Sequence, residues 1–496
     1  MKLIELFKDI ADVTISGEWQ NFDVSSITSD SRQVEHGSIF VALPGVKEHG
    51  KKFIPQAVAK GAKVIVKSSD DERLATSNGV LWIDRENPCQ ELARLLNIFY
   101  KNPSRQLKVI GVTGTNGKTT ITYLLEAIFQ AAHKRTGVIG TVNHRFAQRT
   151  VVSKNTTPGL VENYSFLSQM LEAGSEYCVM EVSSHALEQN RVAGIHFRNC
   201  VFTNLTQDHL DYHKDHESYF QAKAKLFTKP TDKERVVINR DDVYGKKLVK
   251  MTDVPAVTYG INQQSDVMAQ EIKMDVNAST FVVLTADEEF RVRTPLIGIH
   301  NVYNILAATA VALGEGIAKE DIQAGLENLA GVPGRLERVV CGQNYQIFVD
   351  YAHTEDALFR VLECLQQMKS RRIILVFGCG GDRDKGKRSK MGAVAGKWAD
   401  FSFVTNDNPR GEDPQLIIEM ISKGFSRNNY EIIYDRREAI KQALAMAQKD
   451  DIVLVAGKGH EDYQILKNQT IPFDDRKVIR DYLLGNSKTS RGLAVK

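Results

Sequence analysis

The sequence has no Cys-x-x-Cys pair, no apolar run long enough to cross a bilayer, no excess of one charge, and no repeat or low-complexity stretch. Each absence removes a class of protein. The six cysteines (Cys89, Cys178, Cys200, Cys341, Cys364 and Cys379) are scattered, as isolated reduced thiols are, which argues against a disulfide scaffold or a zinc site. Lys plus Arg number 64 against 61 for Asp plus Glu, so the net charge of +3 gives no reason to expect nucleic acid as a partner. No stretch is fit to span a membrane. The opening MKLIELFKDIADV puts Leu3, Ile4, Leu6, Phe7 and Ile10 at helical spacing with Glu5, Lys8 and Asp9 between them. That pattern predicts an amphipathic surface helix; a signal peptide needs an unbroken apolar core. The expectation from these absences is a cytosolic protein with reduced thiols.

At roughly 100–200 residues per domain, 496 residues imply about three domains, and 42% hydrophobic content lets each bury a core. The first, 1–103, ends in the turn-rich Lys101-Asn102-Pro103-Ser104 and carries a short strand-like run at 38–43. The second, 104–332, opens with the apolar run 107–112, then a glycine-rich loop and a helix. It continues with apolar runs at 177–182, 200–202 and 236–238. The third, 333–496, repeats the alternation with strands at 373–377, 401–405 and 452–456, and its tail after Leu484 reads as polar and loose. Strands alternating with helices predict α/β domains with mostly parallel sheets. Ligands are then expected beyond the carboxyl ends of the strands, where the loops 378–387, 406–410 and 457–461 fall.

Residues 111–120 read G-V-T-G-T-N-G-K-T-T between a predicted strand and a predicted helix. Gly114 and Gly117 let backbone amides turn toward phosphate, Lys118 adds a mobile charge, and the Thr119 hydroxyl suits Mg²⁺. The general template G-x-x-x-x-G-K-[ST] needs glycine at 112, where this chain has valine. Downstream, two strand ends bear Glu181-Val-Ser-Ser-His185 and Thr203-Asn-Leu-Thr-Gln-Asp208-His209. A carboxylate and an imidazole there can hold Mg²⁺ beside the phosphate loop. Next, 215–229 reads as a helix with Tyr219, Phe220, Leu226 and Phe227 flanking Lys223 on its apolar face, while Lys225 faces solvent. A desolvated lysine amine is more readily neutral and nucleophilic, and able to take up CO₂ as a carbamate, although snorkelling is the commoner fate of such a lysine.

In order along nearly the whole chain, Gly114–Thr120, Glu181-Val-Ser-Ser-His185, Asp208-His209, Lys223, His300-Asn-Val-Tyr-Asn304 and Pro333-Gly-Arg-Leu-Glu337 resemble the Mur ligase family. So do Val349-Asp-Tyr-Ala-His-Thr354, Gly380-Gly-Asp-Arg-Asp-Lys385, Asp407-Asn-Pro-Arg410 and Gly457-Lys-Gly-His-Glu-Asp462. The family carries the shorter G-T-N-G-K-T, which accounts for Val112. Glu355 and Ser389 stand where the family often has proline. The resemblance implies a small N-terminal α/β domain that binds UDP, a central phosphate-loop domain and a C-terminal Rossmann-like domain.

The resemblance also implies roles. Gly114, Thr115, Asn116, Gly117, Lys118, Thr119 and Thr120 would hold ATP, with Asn301 on adenine and Arg335 and Asp350 reaching the nucleotide from the third domain. Thr119, Glu181, His209 and Lys223 as its carbamate would bind Mg²⁺, and Lys118, Lys223, His209, Glu181 and Arg335 form the catalytic set. Ser29, Ser31 and the loop Gly45–Gly50 would hold uridine. Thr156, Thr157, Ser183, Gln189 and Arg191 would hold the sugar-peptide. Arg383, Asp407, Asn408, Arg410, Gly457 and Glu461 would hold the incoming amino acid, in which Glu461 takes an ammonium.

The implied reaction adds the third peptide residue to UDP-N-acetylmuramoyl-L-alanyl-D-glutamate through an acyl phosphate. L-Lysine ends in an ammonium, meso-diaminopimelate in a further carboxylate. The planar guanidinium of Arg410 suits a bidentate carboxylate contact, and in this family that arginine accompanies the diaminopimelate enzymes. The alternatives are a lysine-adding ligase, a folylpolyglutamate synthetase-like ligase, and a nucleotide switch in which 345–350 would serve as a weak Walker B strand.

Overall fold

The computed structural model describes residues 1–8, 13, 15–45, 48–71, 79–208, 210–228, 233–467 and 469–490. Among the described residues three α/β sheets follow one another along the chain, and Tyr463–Leu466 pairs with Gln469–Pro472 in a separate two-stranded sheet. The first has four parallel strands, Ile27–Thr28, Ile39–Val41, Val64–Ser68 and Leu81–Arg85, in sequential order. The helix Leu3–Phe7 packs on it through Leu3, Leu6 and Phe7. Ile4, expected on the same apolar face, is instead 40% exposed, because one and a half turns present only one face to the core. Asp9 and Ile10 lie outside the described residues.

The second sheet has eleven strands. Its middle seven are parallel, in the spatial order Val267–Met274, Ala256–Gly260, Lys233–Asn239, Phe197–Phe202, Lys108–Thr113, Tyr177–Glu181 and Thr136–Ile139. Antiparallel strands extend both edges. Parallel strands need crossovers, so the sheet is buried on both sides. One face packs on the helices Lys118–Ala131 and Ile299–Gly314; Ile121, Leu124, Leu125 and Ile128 recur at helical spacing and are fully buried. The other face shares one continuous apolar cluster with the first sheet, running from Leu3 and Ile39 to Met180 and Phe202.

The third sheet sets four strands, Gln346–Asp350, Ile452–Ala456, Ile373–Phe377 and Phe401–Val404, in parallel, with short strands at both edges. Alternate residues of Ile373–Phe377 enter opposite clusters: Ile373, Leu375 and Phe377 on one face, Ile374 and Val376 on the other. Ile297, just before the helix Ile299–Gly314, belongs to this third cluster, so the second domain inserts a side chain into the core of the third. Of the polar tail expected to be loose after Leu484, residues 485–490 continue the helix Asp475–Ser490, and 491–496 lie outside the described residues. All six cysteines are free. Among the described residues no helix is long and apolar enough to cross a membrane.

Candidate active site

The phosphate loop is forced by close backbone approaches. Gly114 has φ +147° and Gly117 φ +92°. A Cβ on Gly114 would lie 1.8 Å from Thr203 Oγ1, and one on Gly117 2.3 Å from Asn304 Oδ1. Val112, the departure from the general template, is a fully buried strand residue paired with Val201 and Glu181, where a glycine would serve no purpose. The loop is anchored from Thr203-Asn204: Thr115 N donates to Asn204 O (2.8 Å), Asn116 N to Asn204 Oδ1 (3.1 Å), and Thr203 Oγ1 to Asn116 O (2.6 Å). Lys118 Nζ folds back onto the carbonyls of Gly114 (2.9 Å) and Thr115 (2.8 Å). Burial lowers its pKa, against the opposing pull of Glu181 and Asp208. A phosphate beside it would offset the hydration that burial has removed.

Glu181, 1% exposed, ends its strand at the same level. Its Oε1 accepts from Thr141 N (2.8 Å), and its Oε2 from the hydroxyls of Thr141 (2.8 Å) and Thr119 (3.0 Å). Thr141 Oγ1 also lies 3.1 Å from Thr156 Oγ1. The carboxylate is therefore tied to the phosphate loop on one side and to the predicted sugar-peptide residues on the other. Those residues form one network. Thr157 Oγ1 donates to Glu181 O (2.8 Å) and accepts from Ser183 N (3.0 Å); Arg191 donates to Thr157 O (3.0 Å) and, through Nε and Nη2, to Gln189 Oε1 (3.0 and 2.6 Å). Thr141 itself was not anticipated; its only sequence signal is its place just past a strand end.

Lys223 is 1% exposed. Its Nζ donates to Gly114 O (2.9 Å), a carbonyl that also accepts from Lys118, and sits 4.5 Å from the Tyr219 ring. Burial, and then the neighbouring Lys118 charge, push its pKa well below that of a free lysine. Two ammoniums sharing one acceptor, one of them buried, are costly, and neutralising Lys223 relieves the conflict. His209 lies outside the described residues. Among the described residues no group of three His, Cys, Asp or Glu side chains converges as a metal site. The oxygens of Thr119 and Glu181, with the oxygens a carbamate on Lys223 would add, fit a hard cation such as Mg²⁺ better than a soft one.

A cleft of ≈ 430 Å³ runs from the phosphate loop past Thr141, Thr156 and Glu181 to Asn301, Asn304, Arg335 and Asp350. Arg335 Nη2 reaches Thr119 Oγ1 at 3.4 Å across the domain junction, with its guanidinium 4.7 Å from the Tyr351 ring centroid. Asp350 shapes that turn by accepting from Leu336 N (2.6 Å) and Ala352 N (2.7 Å); burial raises its pKa against Arg335's opposing charge. Asn301 lines the cleft, but its amide is engaged within the helix start, with Ile297 O at 2.8 Å and Asn304 Nδ2 at 3.1 Å.

A larger cleft of ≈ 1040 Å³ opens in the third domain, and Arg383, Asp407, Asn408, Arg410, Gly457 and Glu461 all line it. Lys458, fully buried, was passed over in the sequence. It donates to Asn408 Oδ1 (3.2 Å) and Glu461 Oε2 (3.0 Å), fixing both residues from below. The two clefts share Thr206, Asp208, Tyr351, His353 and Thr354, so they open onto each other. Ser29 and Ser31 line neither cleft. They follow the strand Ile27–Thr28, with Ser31 Oγ 2.7 Å from Gln56 Oε1. Of the loop Gly45–Gly50, residues 46 and 47 lie outside the described residues.

Family models match in sequence: Mur ligase family, catalytic domain, over 23–111; Mur ligase middle domain over 112–312; and Mur ligase, glutamate ligase domain, over 334–459. The chain is 42% identical over 493 residues to the UDP-N-acetylmuramoyl-L-alanyl-D-glutamate--2,6-diaminopimelate ligase of Syntrophomonas wolfei, covering 98% of this chain and 100% of that one. Identity to the Bacillus cereus protein of the same name is 43% over 491 residues, covering 98% and 99%. A solved structure described as UDP-N-acetylmuramoyl-L-alanyl-D-glutamate--2,6-diaminopimelate ligase superposes with a TM-score of 0.71 at 33% identity, covering 97% of this chain and 99% of that one. With all three family models in order and full-length relatives above 40% identity, the chain belongs to the Mur ligase family.

Proposed function

We propose that the chain is an ATP-dependent ligase that joins meso-2,6-diaminopimelate to UDP-N-acetylmuramoyl-L-alanyl-D-glutamate, in cytoplasmic peptidoglycan precursor synthesis, and works as a monomer. The observation that carries the reading is the junction of the two clefts. A phosphate loop and a buried carboxylate lie on one side of Asp208, Tyr351 and His353, and two arginines with a glutamate on the other. A site that activates a carboxyl group thus opens directly onto one that can hold an amine. The full-length relatives named above are consistent with the same reaction.

A carboxylate does not acylate an amine, because its oxygen is a poor leaving group. Phosphorylation by ATP makes the D-glutamate carboxyl an acyl phosphate; the amine then attacks the carbonyl and phosphate departs. Lys118 and Arg335 converge from two domains on the position of the transferring phosphoryl group, where their charge offsets the repulsion between ATP and the carboxylate. Thr119, Glu181, Lys223 as its carbamate, and His209 would hold Mg²⁺, which supplies further charge neutralisation on the phosphates. The Thr156–Thr141–Glu181 contacts support a sugar-peptide seated next to that charge. The Arg335–Thr119 contact brings the third domain over the phosphate loop and helps exclude water from the labile acyl phosphate, with Gly331–Gly334 as hinge. In the larger cleft Arg383 and Arg410 meet carboxylates and Glu461 meets an ammonium.

The test is ADP release with UDP-N-acetylmuramoyl-L-alanyl-D-glutamate, comparing meso-diaminopimelate with L-lysine at equal concentration. Turnover dependent on diaminopimelate is expected. Preference for lysine would leave a ligase but overturn the substrate. ADP release with a folate in place of the muropeptide, or with no acceptor, would overturn the reaction.

A further inference from the structure

The two arginines of the larger cleft come from different loops. Arg383 follows the strand Ile373–Phe377, and Arg410 follows Phe401–Val404. Each loop holds a non-glycine residue in the left-handed region, Asp382 and Arg410, both at φ +52°. Such a conformation persists only where its surroundings over-determine it. The loops approach so closely that a Cβ on Gly381 would lie 1.9 Å from Pro409 O, and one on Gly380 2.8 Å from Arg410 Nη1. Four hydrogen bonds join them: Gly381 N to Asn408 O (2.9 Å), Arg410 Nη1 to Gly381 O (2.9 Å), Gly411 N to Asp382 Oδ2 (3.0 Å) and Asp382 N to Glu412 Oε1 (2.6 Å).

Glu412 joins this crossing through Asp382 N, and what fixes Glu412 is Arg388. Arg388 projects from the helix Gly386–Trp398 and is 0% exposed. Its Nη1 donates to Glu412 Oε2 and its Nη2 to Glu412 Oε1, both at 2.9 Å, and Nη2 also reaches Gly380 O at 3.4 Å. Lys385 adds a longer ion pair at 3.6 Å. Arg388 does not line the cleft. A buried ion pair is weak evidence for stability, since apolar packing often holds as well. A bidentate fork, however, fixes direction as well as distance.

We propose that Arg388 and Glu412 are positioning residues that set the separation and aim of Arg383 and Arg410. They thereby set the preference for an amino acid ending in a carboxylate over one ending in an ammonium. The proposal rests on the diaminopimelate reading of this cleft.

The experiment uses the full chain and its variants Arg388→Lys and Glu412→Gln, with steady-state kinetics in ATP, muropeptide, meso-diaminopimelate and L-lysine. The kcat/KM for diaminopimelate is expected to fall about 10- to 100-fold, as for a displaced binding group. The KM for ATP and for muropeptide should stay within about twofold, as for independent sites. The ratio of diaminopimelate to lysine turnover falls with the first of these. In a cycle with Arg410→Lys, the effect of Glu412→Gln should be less than additive, because the pair acts through Arg410. Equal losses for all substrates, an unchanged diaminopimelate kcat/KM, full additivity with Arg410→Lys, or failure of both variants to fold would each overturn the proposal. If the wild-type chain itself prefers lysine, the substrate reading falls, and this inference with it; selective wild-type turnover with unaltered variants overturns the inference alone.

Discussion

Replacing Thr141 by valine keeps a β-branched side chain of nearly the same shape and removes one hydroxyl. That hydroxyl is one of three groups holding the Glu181 carboxylate; the others are its own backbone N–H on Oε1 and Thr119 Oγ1 on Oε2. The backbone contact survives the change, so the carboxylate stays in place but loses half of the donors on Oε2, and Thr156 loses its neighbour. A hydrogen bond to a charged group contributes about 1.5–3 kcal/mol, which corresponds to roughly 10- to 150-fold in an equilibrium or a rate. The expected outcome is a drop of that order in kcat/KM for the muropeptide. It should be accompanied by weaker muropeptide binding measured calorimetrically without ATP or Mg²⁺, and it should be largely restored in Thr141→Ser. ADP release by a coupled assay, with each substrate varied in turn, gives the kinetic part. Kinetics within about twofold of wild type, or a serine variant as impaired as the valine one, would show that Thr141 does not link Glu181 to the substrate side.

Lys223→Ala should abolish ligation, and removing bicarbonate should slow the wild-type enzyme; retained activity in the variant would refute the role. Gly117→Ala should weaken ATP binding about tenfold or more, because φ +92° alone costs an L residue roughly 1–2 kcal/mol and the new Cβ lies 2.3 Å from Asn304 Oδ1; nucleotide titration checks it. Arg410→Leu should reduce the preference for diaminopimelate over lysine by about 100-fold, as expected when a site loses the partner of a charged substrate group; an unchanged ratio refutes it. The Glu412 carboxyl is held down to about 2, chiefly by the Arg388 hydrogen bonds. A depressed carboxyl pKa stabilises the fold above the unfolded value of 4.5, and that contribution is lost as pH falls from there toward about 2. The Tm deficit of Glu412→Gln should therefore shrink on going from about pH 6 to about pH 3, and a deficit that widens would contradict the pairing.

Much of the site was legible because its groups lie on short contiguous segments. The phosphate loop and Asp407–Arg410 each follow a strand and Glu181 ends one, and apolar runs that give way to polar residues or glycine mark such strand ends. Lys223 was legible through helical periodicity, although the helix expected over 215–229 spans only His216–Ala224: Tyr219 and Phe220 within it, and Leu226 and Phe227 in the turn beyond it, are all buried with Lys223. Where periodicity was sampled too briefly, it misled, as at the exposed Ile4. Lys458 lay inside a quoted motif and still escaped, because its partner Asn408 is fifty residues away.

By itself, then, the amino-acid order determined which segments become strands, which loops can approach a phosphate, and which lysine is turned inward. Those properties follow from local periodicity, glycine spacing and side-chain chemistry. Only the tertiary structure decided that Thr141 bridges Glu181 to Thr156, that Arg335 crosses to Thr119, that Arg388 and Glu412 brace two loops from beneath, and that two clefts join at Asp208 and His353. These contacts join residues far apart in sequence. Their geometry is set by how parallel strands align their carboxyl ends and how the third domain seats on the second, which no local pattern encodes.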